Sequence, residues 1–232
     1  MKKLAFLLSL ILVPVLVPGQ TPQKIIVDNN KVSAESIKPE LQQIFPDFMS
    51  GRIHYKDNLS VKSQLNYNFL LDEILFINEK GEKMAIANPE ELSYVLITDR
   101  KFIPSPKGYL EVIESGEASL VYKWICSISE TKKEGVLGLS TDAPSVYQLN
   151  RFNFDSRERK MDVDKEAVAF IEVRPYLKVK SKYFLIKGEE TYYKAFKGKY
   201  SEIKTYLMQN PVDYKQESDL RRLTKFCNSL YE

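Results

Sequence analysis

The sequence predicts a mainly β fold of the β-rich α+β kind, an antiparallel meander forming a sandwich or open barrel, with a C-terminal α-helical hairpin. Three observations predict it. Val61, Ser63, Leu65, Tyr67 and Phe69 alternate with Lys62, Gln64, Asn66 and Asn68, the period-two pattern of a half-buried strand. Extended runs at 74–77, 83–87, 93–98, 109–113 and 118–128 then follow at short spacing, with turn residues and no helical period between them. From Phe196 the period changes: Phe196, Tyr200, Ile203 and Leu207 step by four, three and four, one face of a helix.

Each boundary has a local cause. Glu79-Lys80-Gly81-Glu82 reads as a turn, and Ser115-Gly116 joins two strands as a hairpin. Strand patterning returns at 168–173 and 176–186, with Gly188 turning into another extended stretch at 191–193. Asn210-Pro211 ends the first helix, Asp213 with Gln216 resembles a capping box, and Leu220, Leu223, Cys227 and Leu230 give the second helical face. The predicted organisation is a signal peptide at 1–19, a lead-in at 20–50, an antiparallel β domain at 51–194 and a helical hairpin at 195–232 packed on the sheet. The β domain carries a polar insertion at about 130–167, read as a loop because it holds Gly135, Gly138, Pro144 and the run from Asp155 to Lys160.

Lys2 and Lys3 precede an apolar run from Leu4 to Val17, and Val17 and Gly19 occupy positions −3 and −1 before Gln20. These are the parts of a secretory signal peptide, and the run is shorter than the roughly 20 residues of a spanning helix. Export is therefore expected, to the periplasm, the outer envelope or the medium, with no transmembrane span after cleavage. The chain has 34 Lys+Arg against 31 Asp+Glu; losing Lys2 and Lys3 leaves 32 against 31, a net +1. So small an excess argues against a nucleic-acid partner, and with it against reading the helical pair as a DNA-binding helix-turn-helix. At 44% hydrophobic and 12% aromatic, the chain buries a core without metals or many disulfides.

Only Cys126 and Cys227 are present. An oxidising compartment permits a bridge between them; the alternative, favoured here, is two separately buried thiols, one in a strand beside Trp124 and one on a helical face.

The stretch 44–145 resembles a group of exported, functionally uncharacterised β-rich proteins of Bacteroidota bacteria. The resemblance is carried by Phe45-Pro46-Asp47-Phe48, LNYNFLLDEILFI at 65–77, the following NEKGEKMAIANPEEL, KGYLEVIESGEASLVYK at 107–123 and GVLGLSTDAPS at 135–145. In that group an aromatic more often stands where this chain has Leu137. The tail from Lys199 to Leu230 resembles a helical pair common in exported proteins of the phylum. The resemblance implies a cell-envelope address and brings no catalytic residue, ligand or cofactor with it.

Chemistry is sparse. One histidine, His54, excludes a multi-histidine metal site, and two thiols are too few for most structural zinc sites. Ser129–Lys132 and Ser201–Lys204 have S-x-x-K spacing, a four-residue pattern that arises by chance, and the stretch from Gly138 misses the final glycine of a nucleophile elbow. Asp72-Glu73, Glu90-Glu91, Asp162/Asp164 and Glu189-Glu190 supply acids for a glycoside-hydrolase pair, but adjacent acids on a strand point to opposite faces. No glycine-rich phosphate motif is present, so no catalytic residue, metal ligand or cofactor is assigned. One constellation stands out: on an unbroken strand Arg174, Lys178, Lys180 and Lys182 share a face, either as a solvated edge or as a strip for anionic envelope polymers. The expected role is a non-catalytic binding, structural or interaction component of the bacterial envelope, partnered by an envelope protein or polymer. The alternative is a carboxylate-dependent hydrolase of envelope or dietary polymers.

Overall fold

The alternating run at 61–69 becomes a strand through Asn68, in which Leu65 and Tyr67 are wholly buried; Phe69 just beyond it is buried too, and so are Asn66 and Asn68 on the other face. The computed structural model describes residues 23–26, 31–33, 37–38, 42–130, 146–149, 158–160 and 166–231. The signal peptide and most of the polar insertion, including Asp162, Asp164 and Lys132, lie outside them.

In chain order the strands are β1 (Gln23–Ile26), β2 (Lys31–Ser33), β3 (Met49–Tyr55), β4 (Ser60–Asn68), β5 (Glu73–Ile77), β6 (Lys83–Ala85) and β7 (Leu92–Ile97). They continue with β8 (Arg100–Ser105), β9 (Gly108–Glu114), β10 (Ala118–Glu130), β11 (Val146–Leu149), β12 (Glu158–Lys160), β13 (Glu166–Val179) and β14 (Lys182–Leu185). Three helices close the chain: α1 (Glu189–Ala195), α2 (Tyr200–Gln209) and α3 (Glu217–Ser229).

Ten strands form one antiparallel sheet in the order β1-β13-β10-β9-β8-β7-β3-β4-β5-β6, with β11 also on β10 and β14 also on β13; β12 pairs separately with β2. Two meanders thus leave β3 in opposite directions, β3-β4-β5-β6 and β7-β8-β9-β10. The sheet is open and strongly curled: Phe69, just after β4, lies 6.0 Å from Trp124 on β10, ring centre to ring centre, although β9, β8, β7 and β3 separate the two strands in the sheet.

One face of β10 serves two cores. Cys126 packs with Ile53, Leu65, Tyr67, Val95, Ile97 and Phe102 inside the curl. Ala118, Leu120 and Tyr122, on the same face by period two, pack with Leu177 against the helices. The amide of Asn228 on α3 fixes that helix to the sheet: its Oδ1 accepts the Ala118 N–H and its Nδ2 donates to the Ala118 carbonyl, both at 3.0 Å. One side chain thereby imitates a neighbouring strand. Gly116 is required beside it, because a Cβ there would overlap the Asn228 amide.

Several local expectations are corrected. The lead-in contributes β1 at a sheet edge, and the polar insertion contains β11 and β12; both are too short for periodicity to register. β8 escapes the pattern because Pro104 interrupts it. Residues 191–193, extended by β propensity, are helical in α1 because burial decides: Tyr192 is fully buried and its hydroxyl lies 3.1 Å from that of Thr224 on α3. The first predicted helical face is split: Phe196 caps α1, and α2 starts at Tyr200, which is exposed, with Ile203 its one buried residue. The second predicted face is α3, with Leu220, Leu223, Thr224 and Cys227 buried. Asp213 is not its cap; its carboxylate closes a local turn onto the Lys215 N–H at 2.9 Å.

Replacing Asn228 with Ala leaves a strand N–H and C=O without partners at a covered helix–sheet contact. Asn228→Ala is expected to cost about 1–3 kcal/mol in urea unfolding, with Gly116→Ala lowering stability in the same direction.

Candidate functional site

The sheet is interrupted at one place along β10. β13 runs along one edge from Ala118 to Glu130. On the other edge β9 pairs only Leu120, Val121 and Tyr122, and β11 resumes at Cys126. Lys123, Trp124 and Ile125 face the gap, and the ion pairs of the curl's interior gather around the first two.

The first node is Asp72. Asn68 prepares it by accepting the N–H groups of Leu70 and Leu71 at 3.0 and 2.9 Å, turning the chain so that Asp72 sits at φ 60°. Asp72 Oδ1 accepts the Tyr67 hydroxyl at 2.6 Å and the Tyr109 N–H at 2.9 Å, while Oδ2 accepts from the Lys123 ammonium. Lys123 Nζ also donates to the carbonyls of Lys107 and Tyr109, at 2.8 and 3.1 Å. These carbonyls are two residues apart and so point the same way; where the β9–β10 ladder stops, one ammonium replaces the missing backbone donors. Gly108, at φ 85°, completes the contact, since any Cβ would land on the Asp72 carboxylate.

The second node is Glu111, only 5% exposed. Arg100 grips it with Nε on Oε1 and Nη2 on Oε2, both at 2.6 Å, and Trp124 Nε1 donates to Oε2 at 2.8 Å. The guanidinium lies over Phe45, Phe102 and Trp124, 5.4, 5.9 and 5.3 Å from their ring centres. Beside it, the fully buried Asn66 reaches Gln43 Oε1 and the carbonyls of Phe45 and Asp47 at 2.9–3.0 Å, which seats Phe45 under Arg100.

The electrostatics follow from burial. Desolvation pushes the Tyr67 hydroxyl well above its ordinary pKa, and the neighbouring Asp72 charge adds to the shift, so Tyr67 remains a donor. Desolvation lowers the Lys123 pKa, opposed by the Asp72 charge and its hydrogen bond. Chemically the cluster is closed. An ammonium has three N–H donors, and Lys123 spends them on three acceptors. In this state it has no lone pair for nucleophilic or base chemistry, and Glu111 is bound at both oxygens.

The residues singled out in the sequence do not converge here, apart from Asp72. Its neighbour Glu73 opens β5; Glu90 and Glu91 lie in a 3-10 turn, and Glu189 and Glu190 are exposed on α1. His54 stacks on Tyr94 with ring centres 4.2 Å apart, and its Nε2 has no hydrogen-bond partner among the described residues. Ser201 is exposed on α2, and Lys204 lies over the Tyr200 ring.

The basic strip depends on an unbroken strand, and the strand breaks. Lys180 and Ser181 form a turn, with Lys180 at φ 54°. Lys178 then pairs with Tyr183 and Lys182 with Val179, which puts Lys182 on the face opposite Lys178. Arg174 is held by Glu172, with Nε on Oε1 at 2.6 Å and Nη2 on Oε2 at 2.9 Å. Cys126 and Cys227 are free thiols in the two different cores, so the bridge weighed in the sequence is not formed.

Among the described residues no three His, Cys, Asp or Glu side chains gather to hold a metal ion. An open depression of about 470 Å³ lies between β14 and α1, bordered by Phe184, Lys187, Glu190 and Lys194. No protein-family model, curated protein or solved structure matches the chain.

The Asp72–Lys123 pair calls for a specific mutational asymmetry. Asp72→Ala strands an ammonium and is expected to cost about 3–5 kcal/mol, whereas Asp72→Leu combined with Lys123→Met costs clearly less than the two single changes added together, read by denaturant unfolding. Burial pushes both thiols up to about 12, so at pH 8 on the order of one in ten thousand is thiolate. Iodoacetamide at pH 8 should leave both cysteines unmodified in the native protein and label both in guanidinium, as counted by mass spectrometry.

Proposed function

We propose that this chain is an exported, non-catalytic binding or interaction component of a bacterial cell envelope. The observation that carries the reading is the saturation of its buried charges. Asp72, Lys123, Arg100 and Glu111, the ionised groups best placed inside the curl, are consumed by one another and by the backbone. Enzymes keep such groups poised toward a substrate, with a reacting atom within reach of a free oxygen or nitrogen. Here the same chemistry pins the β4–β5 corner to β9 and β10. The compartment rests on the N-terminal pattern from Lys2 to Gly19. No helix of the described residues is long and apolar enough to cross a membrane.

The test is fractionation of a tagged chain expressed in a bacterium with an outer envelope, followed by crosslinking in intact cells. The expected result is an N-terminus at Gln20, recovery with the envelope, one reproducible crosslinked component and no turnover of a glycan and peptide panel. Cytoplasmic protein retaining Met1 would overturn the export reading. Turnover of any panel substrate that disappears in Asp72→Asn would overturn the non-catalytic one and favour the hydrolase.

A further inference from the structure

Within the curl every cation described above has an acid, but on the opposite face of the sheet the pattern reverses. In β3, β4, β7 and β8 the residues Ile53, Leu65, Val95, Ile97 and Phe102 point into the core, so the residues next to them in each strand project from the other face of the sheet. The register aligns four of those neighbours: Lys62 pairs with Arg52, Arg52 with Leu96, and Leu96 with Lys101. The row crosses four strands and reads cation, cation, apolar, cation. Lys62 and Arg52 are directly opposite each other, an arrangement that destabilises a sheet.

None of these three cations has a carboxylate partner among the described residues. Arg52 Nη1 donates to Ser60 Oγ at 3.2 Å, and Lys101 Nζ sits 4.5 Å from the centre of the Tyr94 ring. Tyr94 is backed in turn by His54, 4.2 Å away. The stack holds the Lys101 ammonium by a ring face, which leaves its N–H donors uncommitted to any acid. The only exposed large apolar side chain on β4, Val61, belongs to the other face and does not interrupt the row.

We infer that this face is a binding site for a linear, carboxylate-bearing polysaccharide lying across the strands; the inference rests on the envelope-binding role proposed above and names its ligand. Strands stand about 4.8 Å apart, so Lys62 and Arg52 are one strand spacing apart and Arg52 and Lys101 two, about 9–10 Å. One strand spacing is on the scale of a single sugar unit. A uronate polymer presents a carboxylate on each unit and an apolar ring face between them, which suits Leu96 between Arg52 and Lys101. A phosphodiester chain offers the charge without the apolar face. The unfavourable Lys62–Arg52 juxtaposition then has a use: ligand carboxylates relieve it, and that relief adds to affinity.

The test measures retention of the full chain on polygalacturonate, inorganic polyphosphate and neutral dextran at low and high salt. Polygalacturonate is expected to bind, with salt-sensitive affinity, and dextran is not. Arg52→Gln with Lys101→Gln should weaken binding by about tenfold or more, as loss of two charge contacts predicts. Lys178→Gln with Lys182→Gln, on β13 and β14, should leave it unchanged. The Arg52/Lys101 variant should melt at or above the wild-type temperature, because it removes uncompensated positive charge. No binding to polygalacturonate, preference for polyphosphate, an equal loss in both double variants, or a fall in melting temperature would each overturn the inference. Envelope recovery and crosslinking without polygalacturonate binding would remove this ligand while leaving the envelope role standing.

Discussion

The curl of the sheet depends on one ammonium group. Lys123 stands where β10 loses β9 as a partner, and its three donors take the Asp72 carboxylate and two carbonyls from the β9 end. Without that group the Asp72 carboxylate and the Tyr109 carbonyl, both on buried residues, would lose a donor, which costs more than an exposed hydrogen bond would. With it, the β4–β5 corner is tied to strands that are distant in sheet order. Burying the pair is itself expensive, and excellent geometry on both sides offsets the desolvation. Tyr67 and the Tyr109 N–H supply that geometry at Asp72, and the Gly108 backbone makes room for it.

Once the curl is fixed, the remaining architecture follows from the length of β10. Its thirteen residues outrun β9: the β9-paired end, with Ala118, Leu120 and Tyr122, lies beneath the helices, and the strand then runs past β9 to place Cys126 in the core of the curl. Period two keeps Ala118, Leu120, Tyr122 and Cys126 on a single face, which lets one strand serve both. The Asn228 amide then fastens α3 to Ala118 by backbone-like hydrogen bonds, so the second core is anchored by polar geometry as well as by apolar area.

The two faces of the sheet treat charge in opposite ways. Inside, Arg100 and Lys123 are matched to carboxylates that burial would otherwise make intolerable. Outside, Arg52, Lys62 and Lys101 share a row with no acid among the described residues, and solvent screening keeps the repulsion tolerable. Stability has been given up on the face where a ligand could use it and concentrated where none can enter. That division is why the inner cluster, despite its catalytic residue types, reads as a fastening, and the outer row reads as a contact surface.

The sequence by itself determined the fold class, the buried Leu65 and Tyr67 of β4, the two hairpin turns at Gly81 and Gly116, and the apolar face of α3. Those signals are local: a period of two or of three to four is written into neighbouring residues. It also singled out Asp72, though as a member of an acid pair with Glu73 and not as the partner of Lys123, which lies 51 positions away. Arg100, Glu111 and Trp124 carried no motif at all. Only the tertiary structure decided which cations share a surface. Arg174, Lys178 and Lys182 are linked by parity along the chain, and a two-residue turn undoes that parity by folding the strand back on itself. Lys62, Arg52 and Lys101 come from three different strands and are brought together by register. Register is set by turns and by which side chains must be buried, so it is a property of paired strands that no single stretch of sequence contains.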